Sequence, residues 1–335
     1  MEEIHADVLV VGAGLTGLMA ANLLQKQGID VALFEQAHTV GGRLDTVSIG
    51  PGRADLGAQF FTARTPEFQN WVHQWEMEKI VYLWSMGWSH GSLETSHDGH
   101  PRYAVHGGMR ALAEHLAHDL DRLFLNTRIA TVTPTNNDWL VQDEDGDIYT
   151  CATLLLTAPV PQSLAPLQSG ATRLSTDDLT ILESIQYDRC LCGVFWIDGA
   201  VHLPEPGAVQ MPDSPIIWIA DNRHKGISRE AALLTVHASP KTSHQLWSLP
   251  DNEALAELRA ATRPYVDARA KIREAHLKRW NYSLPHHIHP EPYLMAENLP
   301  PLVFAGDAFG GPRVEGAALS GVAAARAILE DFRRR

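Results

Sequence analysis

Residues 8–24 read VLVVGAGLTGLMAANLL, a short β-branched apolar run that breaks into glycines and resumes with helical spacing. A segment of this kind has few ways to fold. Val8 to Val11 read as a buried parallel strand, too short and too evenly apolar for a helix. Gly12, Gly14 and Gly17 then fit G-x-G-x-x-G, in which the first glycine makes a tight turn, the second lets the backbone approach a pyrophosphate, and the third lets the next helix pack closely on the strand. That helix, roughly Thr16 to Gln27, points its free N–H groups and positive dipole end at the phosphates. Gly28 closes it and Val31 to Phe34 form a second strand. Glu35, followed by Gln36, ends that strand where an acid can accept hydrogen bonds from an adenosine ribose. Strand, glycines, helix, strand and acid together predict a dinucleotide-binding unit. The acid would repel the 2′-phosphate of NADP, which leaves NAD and FAD.

Two further stretches favour FAD. In GGRLDT (Gly41 to Thr46), Gly41 and Gly42 give room to an extended cofactor, and Arg43 can set its fork against a pyrophosphate. In ADLGAQFFTA (Ala54 to Ala63), Gly57 and Ala58 would let a flat ring approach, with Gln59, Phe60 and Phe61 to line it. Core packing is the bland alternative for either phenylalanine. At the other end, LVFAGDAFGGPRVEGAALSG contains a strand (Leu302 to Ala305), then Gly306 and Asp307, then a helix beginning near Glu315. Asp307 can bond a ribityl hydroxyl. Gly316, Ala317 and Ala318 open the helix with small side chains, so that its N-terminus can sit against the flavin and its dipole can stabilise negative charge on the reduced ring. Nicotinamide develops no such charge. The cofactor residues expected on these grounds are Gly12, Gly14, Leu15, Thr16, Gly17, Glu35, Gln36, Gly42, Arg43, Gly57, Ala58, Gln59, Phe60, Gly306, Asp307, Val314, Glu315, Gly316 and Ala317.

The chain has 335 residues, 45% hydrophobic and 20% charged, which suits a soluble protein of two interleaved lobes. A formal net charge of −13 argues against binding nucleic acid or an anionic membrane. Cys190 and Cys192 stand too close for an ordinary disulfide and, with Cys151, read as inert thiols. Met1-Glu2-Glu3 lacks the basic start of a signal peptide, and no apolar stretch reaches the ~20 residues of a membrane span. A cytoplasmic protein is expected.

The motifs VVGAGLTGL, GGRLDT, ADLGAQFFTAR, LLLTAPVPQ and AGDAFGGPRVEGAALSG together resemble the renalase-type flavoproteins of the flavin amine-oxidase superfamily. The resemblance implies an α/β (α+β) fold, with an FAD-binding Rossmann-like domain of the glutathione-reductase/p-hydroxybenzoate-hydroxylase type and an interleaved substrate domain on a mixed β-sheet. The boundaries expected are 1–65, 105–160 and 295–335 for the FAD domain, and 66–104 and 161–294 for the substrate domain. It further implies non-covalent FAD, an adenine contact from the backbone of Val132 in the meander RIATVTPTNNDWLVQDEDGDIYTCATLLLTAP, and a substrate-lobe sheet facing the flavin.

In that lobe, LLTVHASP puts His237 at the end of an apolar strand, and LKRWNYSLP puts Trp280 and Tyr282 on one strand face. With Gln59 and Phe61 these are the expected substrate-facing residues, His237 as a positioning group. A core histidine and core tryptophans are the plain alternatives. PHHIHP (Pro285 to Pro290) lacks carboxylate or cysteine partners and reads as a surface loop, with no metal expected. The terminal RRR complements the negative end of the last helix.

No Ser–His–Asp, Cys–His or paired-carboxylate pattern stands out, which fits chemistry carried by a cofactor. The resemblance implies hydride transfer from 2- or 6-dihydro isomers of NAD(P) to flavin N5, with O2 as acceptor and H2O2 as product. The partners expected are thus a small-molecule substrate and O2, with no nucleic acid and no membrane span. An amine or amino-acid oxidase, and a binding protein on the same fold that has lost its flavin, remain as alternatives.

Overall fold

A computed structural model describes residues 4–90 and 98–334 of the chain. Met1 to Glu3 and Arg335, on which the leader reading and part of the RRR reading rest, lie outside the described residues. The chain divides into two compact units, Met1–Gly42 with Ala113–Gln186 and Pro285–Arg335, and Arg43–Leu112 with Tyr187–Leu284. Among the described residues no helix is long and apolar enough to cross a membrane.

The first unit is built on an eight-stranded sheet whose centre is parallel. Ile4–Val11 pairs in parallel with Val31–Phe34 on one side and Ile148–Leu156 on the other. Leu302–Phe304 continues the parallel order beyond Ile148–Leu156, and Leu123–Phe124 beyond Val31–Phe34. Val31–Phe34 and Leu302–Phe304 are buried at every residue, as strands covered on both faces must be. The meander runs antiparallel through Ile129–Pro134, Trp139–Asp143 and Ile148–Leu156. Two helices, Leu15–Lys26 and Arg313–Arg334, cross at very short range. A Cβ on Gly321 would run into the carbonyl of Thr16, and the Thr16 hydroxyl donates to the carbonyl of Ala317 (2.8 Å).

The second unit holds a five-stranded sheet in the order Ala208–Gln210, Ile216–Asp221, Ala232–Ala238, Gln186–Asp198, Lys271–His287. Its two faces follow from strand alternation. One carries Leu191, Phe195, Leu234 and Val236, buried with Ala254 and Leu258 of the helix Asp251–Ala260. The other carries Cys192, Val194 and Leu233, buried with Ile49, Ala54 and Leu56 of the hairpin Thr46–Ile49/Gly52–Asp55 and the residue after it.

This hairpin explains why residues 43–65 group with the second unit, whereas the sequence boundaries put them with the FAD domain. Likewise 161–186 groups with the first unit, because the helix Val160–Ser169 ends at Gly170, whose missing side chain makes room for the backbone of Val132. The expected PHHIHP loop is corrected in part: His286 and His287 end the long strand Lys271–His287, and His289 sets its ring against Phe309 (centroids 5.8 Å). The strand contains Pro285, which lacks an N–H and so forfeits only its own ladder bond. Arg334 pairs with Glu330 one turn back (3.7 Å).

Candidate functional site

In the first unit the two glycine motifs lie side by side. Gly12 adopts φ +107°, its N–H donates to the carbonyl of Phe34 (2.7 Å), and a Cβ on it would lie 2.8 Å from the hydroxyl of Thr157. Gly14 bridges Gly41, whose N–H donates to the carbonyl of Ala13 (2.8 Å). A Cβ on Gly17 would run into the carbonyl of Gly12, so only glycine lets the helix seat there. Gly14 differs, because among the described residues nothing lies within 4 Å of the position of its absent Cβ. It is the N-cap of Leu15–Lys26, and no side chain caps the helix and no acid stands in its first turn. The orphan N–H groups of that turn, at Leu15, Thr16 and Gly17, are therefore left for an anion.

Glu35 completes the cradle. Its Oε2 accepts from the N–H of Ala13 (2.8 Å) and its Oε1 from that of Ala37 (2.9 Å). Burial lifts its carboxyl above the ordinary range, against the pull of the backbone donors at Ala37, Ala13 and Gln36. A carboxylate has about four lone-pair directions, so it retains capacity for hydroxyl donors such as those of a ribose. The open Gly14, the uncapped helix and the under-used acid fit the pyrophosphate and ribose of a dinucleotide.

At the C-terminal motif, the Gly306 N–H donates to the Ser320 hydroxyl (2.8 Å), and Asp307 and Val314 are buried. The small residues after Glu315 have partners within the protein. The space a side chain would need at Gly316 is filled by the backbone of Gly311, and the Ala317 carbonyl takes the Thr16 hydroxyl. Val132 is fully buried and its carbonyl accepts from Thr172 (2.5 Å). A Cβ on Gly170 would run into the carbonyl of Val132, so the end of the helix Val160–Ser169 packs closely on that backbone.

In the second unit, residues 55–59 form a row of carbonyls on which several expected residues converge. Gln59 Nε2 donates to the carbonyls of Asp55 (2.8 Å) and Gly57 (3.2 Å). Carbonyls only accept, so this fixes the amide orientation and leaves Oε1 buried with no partner among the described residues. His237 Nε2 and Trp280 Nε1 both donate to the carbonyl of Leu56, at 3.1 and 3.0 Å. The same logic makes His237 the Nε2–H tautomer, with a lone pair at Nδ1. Burial pulls its pKa down to about 4; the Leu56 bond opposes this and the charge of Lys225 adds to it. The ring is neutral at physiological pH.

Other expectations part company here. Phe60 packs with Trp88 and Trp218 (centroids 4.9 and 5.4 Å), whereas Phe61 is buried against Phe68 and Tyr103. Phe61 is core, because neighbouring residues of an extended segment point to opposite sides. Tyr282 stands edge-on to Tyr187 (5.6 Å) rather than joining the Leu56 group. Gly57 is glycine because a Cβ would run into the carbonyl of Arg43, which accepts from the Ala58 N–H (2.9 Å). Arg43 itself donates to the carbonyl of Ser283 (3.2 Å).

Sequence reading missed the polar kernel behind this row, the ion pair of Asp55 and Lys225, both wholly buried. Asp55 carried a signal, an acid between the apolar Ala54 and Leu56. In DNRHKG nothing distinguishes the cation that turns inward.

A parallel sheet with an open glycine cradle at the start of its first helix defines a dinucleotide-binding protein. The sequence matches the NAD(P)-binding Rossmann-like domain family over residues 10–75 and the family of flavin containing amine oxidoreductases over residues 81–329. The second match covers well over half of the chain, which therefore belongs to that family, and FAD is its cofactor. Mouse renalase (Mus musculus) is 27% identical over 206 residues, 56% of this chain. The 1-hydroxycarotenoid 3,4-desaturase of Flavobacterium sp. (strain P99-3) is 38% identical over 66 residues, 20% of this chain. The chain spans 58% of the length of the former and 13% of the latter. Among solved structures, a triple mutant of putrescine oxidase superposes with a TM-score of 0.73 at 15% identity, covering 100% of both chains. Wild-type putrescine oxidase bound to putrescine gives 0.73 at 16%, covering 98% of this chain and 100% of that one. These likenesses establish the fold.

Proposed function

We propose that the protein is an FAD-dependent oxidase of renalase type, which oxidises the 2- and 6-dihydro isomers of NAD(P) to NAD(P)+. FAD, when bound, supplies the hydride acceptor at N5 and is reoxidised by O2 with release of H2O2. Gly12, Gly14, Leu15, Thr16, Gly17 and Gly42 hold the pyrophosphate, Glu35 and Gln36 the ribose, and Gly306, Asp307, Val314, Glu315, Gly316 and Ala317 the flavin end. Arg43, Gly57, Ala58 and Phe60 are the cofactor candidates of the second unit, and Gln59, His237 and Trp280 its substrate candidates.

The observation that carries this reading is the state of His237. An imidazole with its pKa near 4 and its Nε2–H committed to a backbone carbonyl is a poor general base at neutral pH. A dihydropyridine suits such a site, since loss of hydride makes its ring aromatic and no proton need be removed. An amine or amino acid, held largely as an ammonium in water, must first lose a proton. Partial identity to renalase supports the same substrate class. Three free, buried cysteines support a reducing compartment such as the cytoplasm.

The test is anaerobic titration of the purified flavoprotein with borohydride-reduced NAD, which contains the 2- and 6-dihydro isomers, with ordinary NADH and benzylamine as controls. Rapid bleaching of the flavin by the isomers alone is expected. Bleaching by benzylamine but not by the isomers overturns the assignment in favour of an amine oxidase.

A further inference from the structure

Lys225 sits in the loop that follows the strand Ile216–Asp221. Its ammonium closes the ion pair with Asp55 and lies 5.0 Å from the ring centroid of Trp84. Its own backbone is also held, the N–H by the carbonyl of Asp221 (2.9 Å) and the carbonyl by the hydroxyl of Tyr82. The other carboxylate oxygen of Asp55 accepts from the Thr46 hydroxyl (2.6 Å) and the Met109 N–H (2.8 Å). The backbone of Asp55 is tied as well. Its N–H donates to Asn222 Oδ1 (3.3 Å), and its carbonyl accepts from Gln59 Nε2 (2.8 Å) and the Thr235 hydroxyl (3.1 Å). Six residues, from Thr46 to Thr235, thus hold this one aspartate.

The consequence falls on the next peptide. The Leu56 N–H donates to the carbonyl of Asp45 (2.9 Å), and the Leu56 carbonyl takes both His237 and Trp280. A buried ion pair is weak evidence for stability, because a well-packed apolar pair of similar volume often does as well. Directional anchoring of one backbone carbonyl is something an apolar pair cannot supply.

We propose that Asp55 and Lys225 are positioning residues, whose buried pair fixes the course of residues 55–57 so that the Leu56 carbonyl holds His237 in its Nε2–H tautomer and Trp280 in place. The catalytic consequence rests on the reading that these two side chains serve the substrate; the structural claim does not.

Nitrogen NMR of the FAD-loaded protein, labelled at histidine ring and tryptophan indole nitrogens, tests this. In the wild type His237 is expected as a single Nε2–H tautomer, with the Trp280 indole N–H protected from exchange. Lys225→Met should mix the tautomers, deprotect the indole, and slow flavin reduction by the dihydro isomers about 10- to 100-fold per bound FAD. Lys225→Arg should restore both to near the wild type. Asp55→Glu keeps the charges and displaces the pair by one methylene, and decides the matter if Lys225→Met does not fold. A folded, FAD-loaded Lys225→Met or Asp55→Glu protein that retains the single tautomer and the protected indole overturns the proposal. A wild type that the isomers do not reduce refutes the substrate class, while the NMR signature still decides the role of the pair.

Discussion

Gly14 and Gly17 stand three residues apart in one turn, yet their replacement by alanine should do opposite things. Gly14 has φ −74° and ψ 177°, a conformation alanine adopts freely, and no described residue lies within 4 Å of its missing Cβ. Alanine is a poorer N-cap than glycine but narrows the unfolded ensemble by about 0.4–1 kcal/mol, so the apoprotein should change by less than about 1 kcal/mol. The new methyl would stand where a pyrophosphate must approach the backbone N–H groups. Loss of one charge-assisted hydrogen bond, about 1.5–3 kcal/mol, corresponds to roughly 10- to 150-fold weaker FAD binding. At Gly17 the methyl would collide with the Gly12 carbonyl, which costs the fold about 1–3 kcal/mol or more before any cofactor is considered. Thermal unfolding of the two apoproteins, with FAD affinity from quenching of flavin fluorescence, separates the two effects. Gly14→Ala protein that binds FAD within threefold of the wild type would refute the assignment of this space to the pyrophosphate.

His237 should leave a mark on the pH dependence of stability. Its folded pKa of about 4 lies below the unfolded value near 6.5, so the unfolded chain takes up the proton first as pH falls. The contribution is whole above pH 6.5 and is lost between pH 6.5 and 4, about 2 kcal/mol of it by pH 5. Denaturant unfolding at pH 7.5 and 5 should therefore show a smaller acid loss for His237→Gln than for the wild type, and equal losses would mean an ordinary imidazole. Trp280→Ala removes one of the two donors on the Leu56 carbonyl and should slow flavin reduction about 10- to 100-fold with FAD still bound; release of FAD instead marks the ring as structural. Gly321→Ala would push a methyl into the Thr16 carbonyl and part the two helices, so its melting temperature should fall with a loss of about 1–3 kcal/mol and FAD retention should fall with it.

The first unit was legible because its signals are local. Strand, glycine turn, helix and acid lie within residues 4–35, and each is dictated by backbone conformation, which sequence pattern reports directly. Reasons for individual glycines were harder to read. Gly57 and Gly316 are glycine because Arg43 and Gly311 press their backbones against them, and no spacing rule reveals such a neighbour. The second unit was legible at the level of faces: His237 was read at the end of an apolar strand and Trp280 on one face of another, and both rings meet the Leu56 carbonyl. Phe61 and Tyr282 were not separable from them, since alternation says which side a residue takes but not what waits there. Lys225 was invisible for the opposite reason. Its partner Asp55 is 170 residues away in the chain, and one inward cation among Arg223, His224 and Lys225 leaves no periodic trace.

The lock between Gly321 and Thr16 also dictates when the protein can mature. The helix Leu15–Lys26 leaves the ribosome long before Arg313–Arg334, the helix that closes on it. At 5–20 residues per second the early helix waits about 15–60 s for its partner. Its buried flank is unpaired through that interval, and the edge of the Ile4–Val11 strand for roughly half of it, until Ile148–Leu156 arrives. The helix pair behind the glycine cradle is therefore complete only once Arg313–Arg334 has been made.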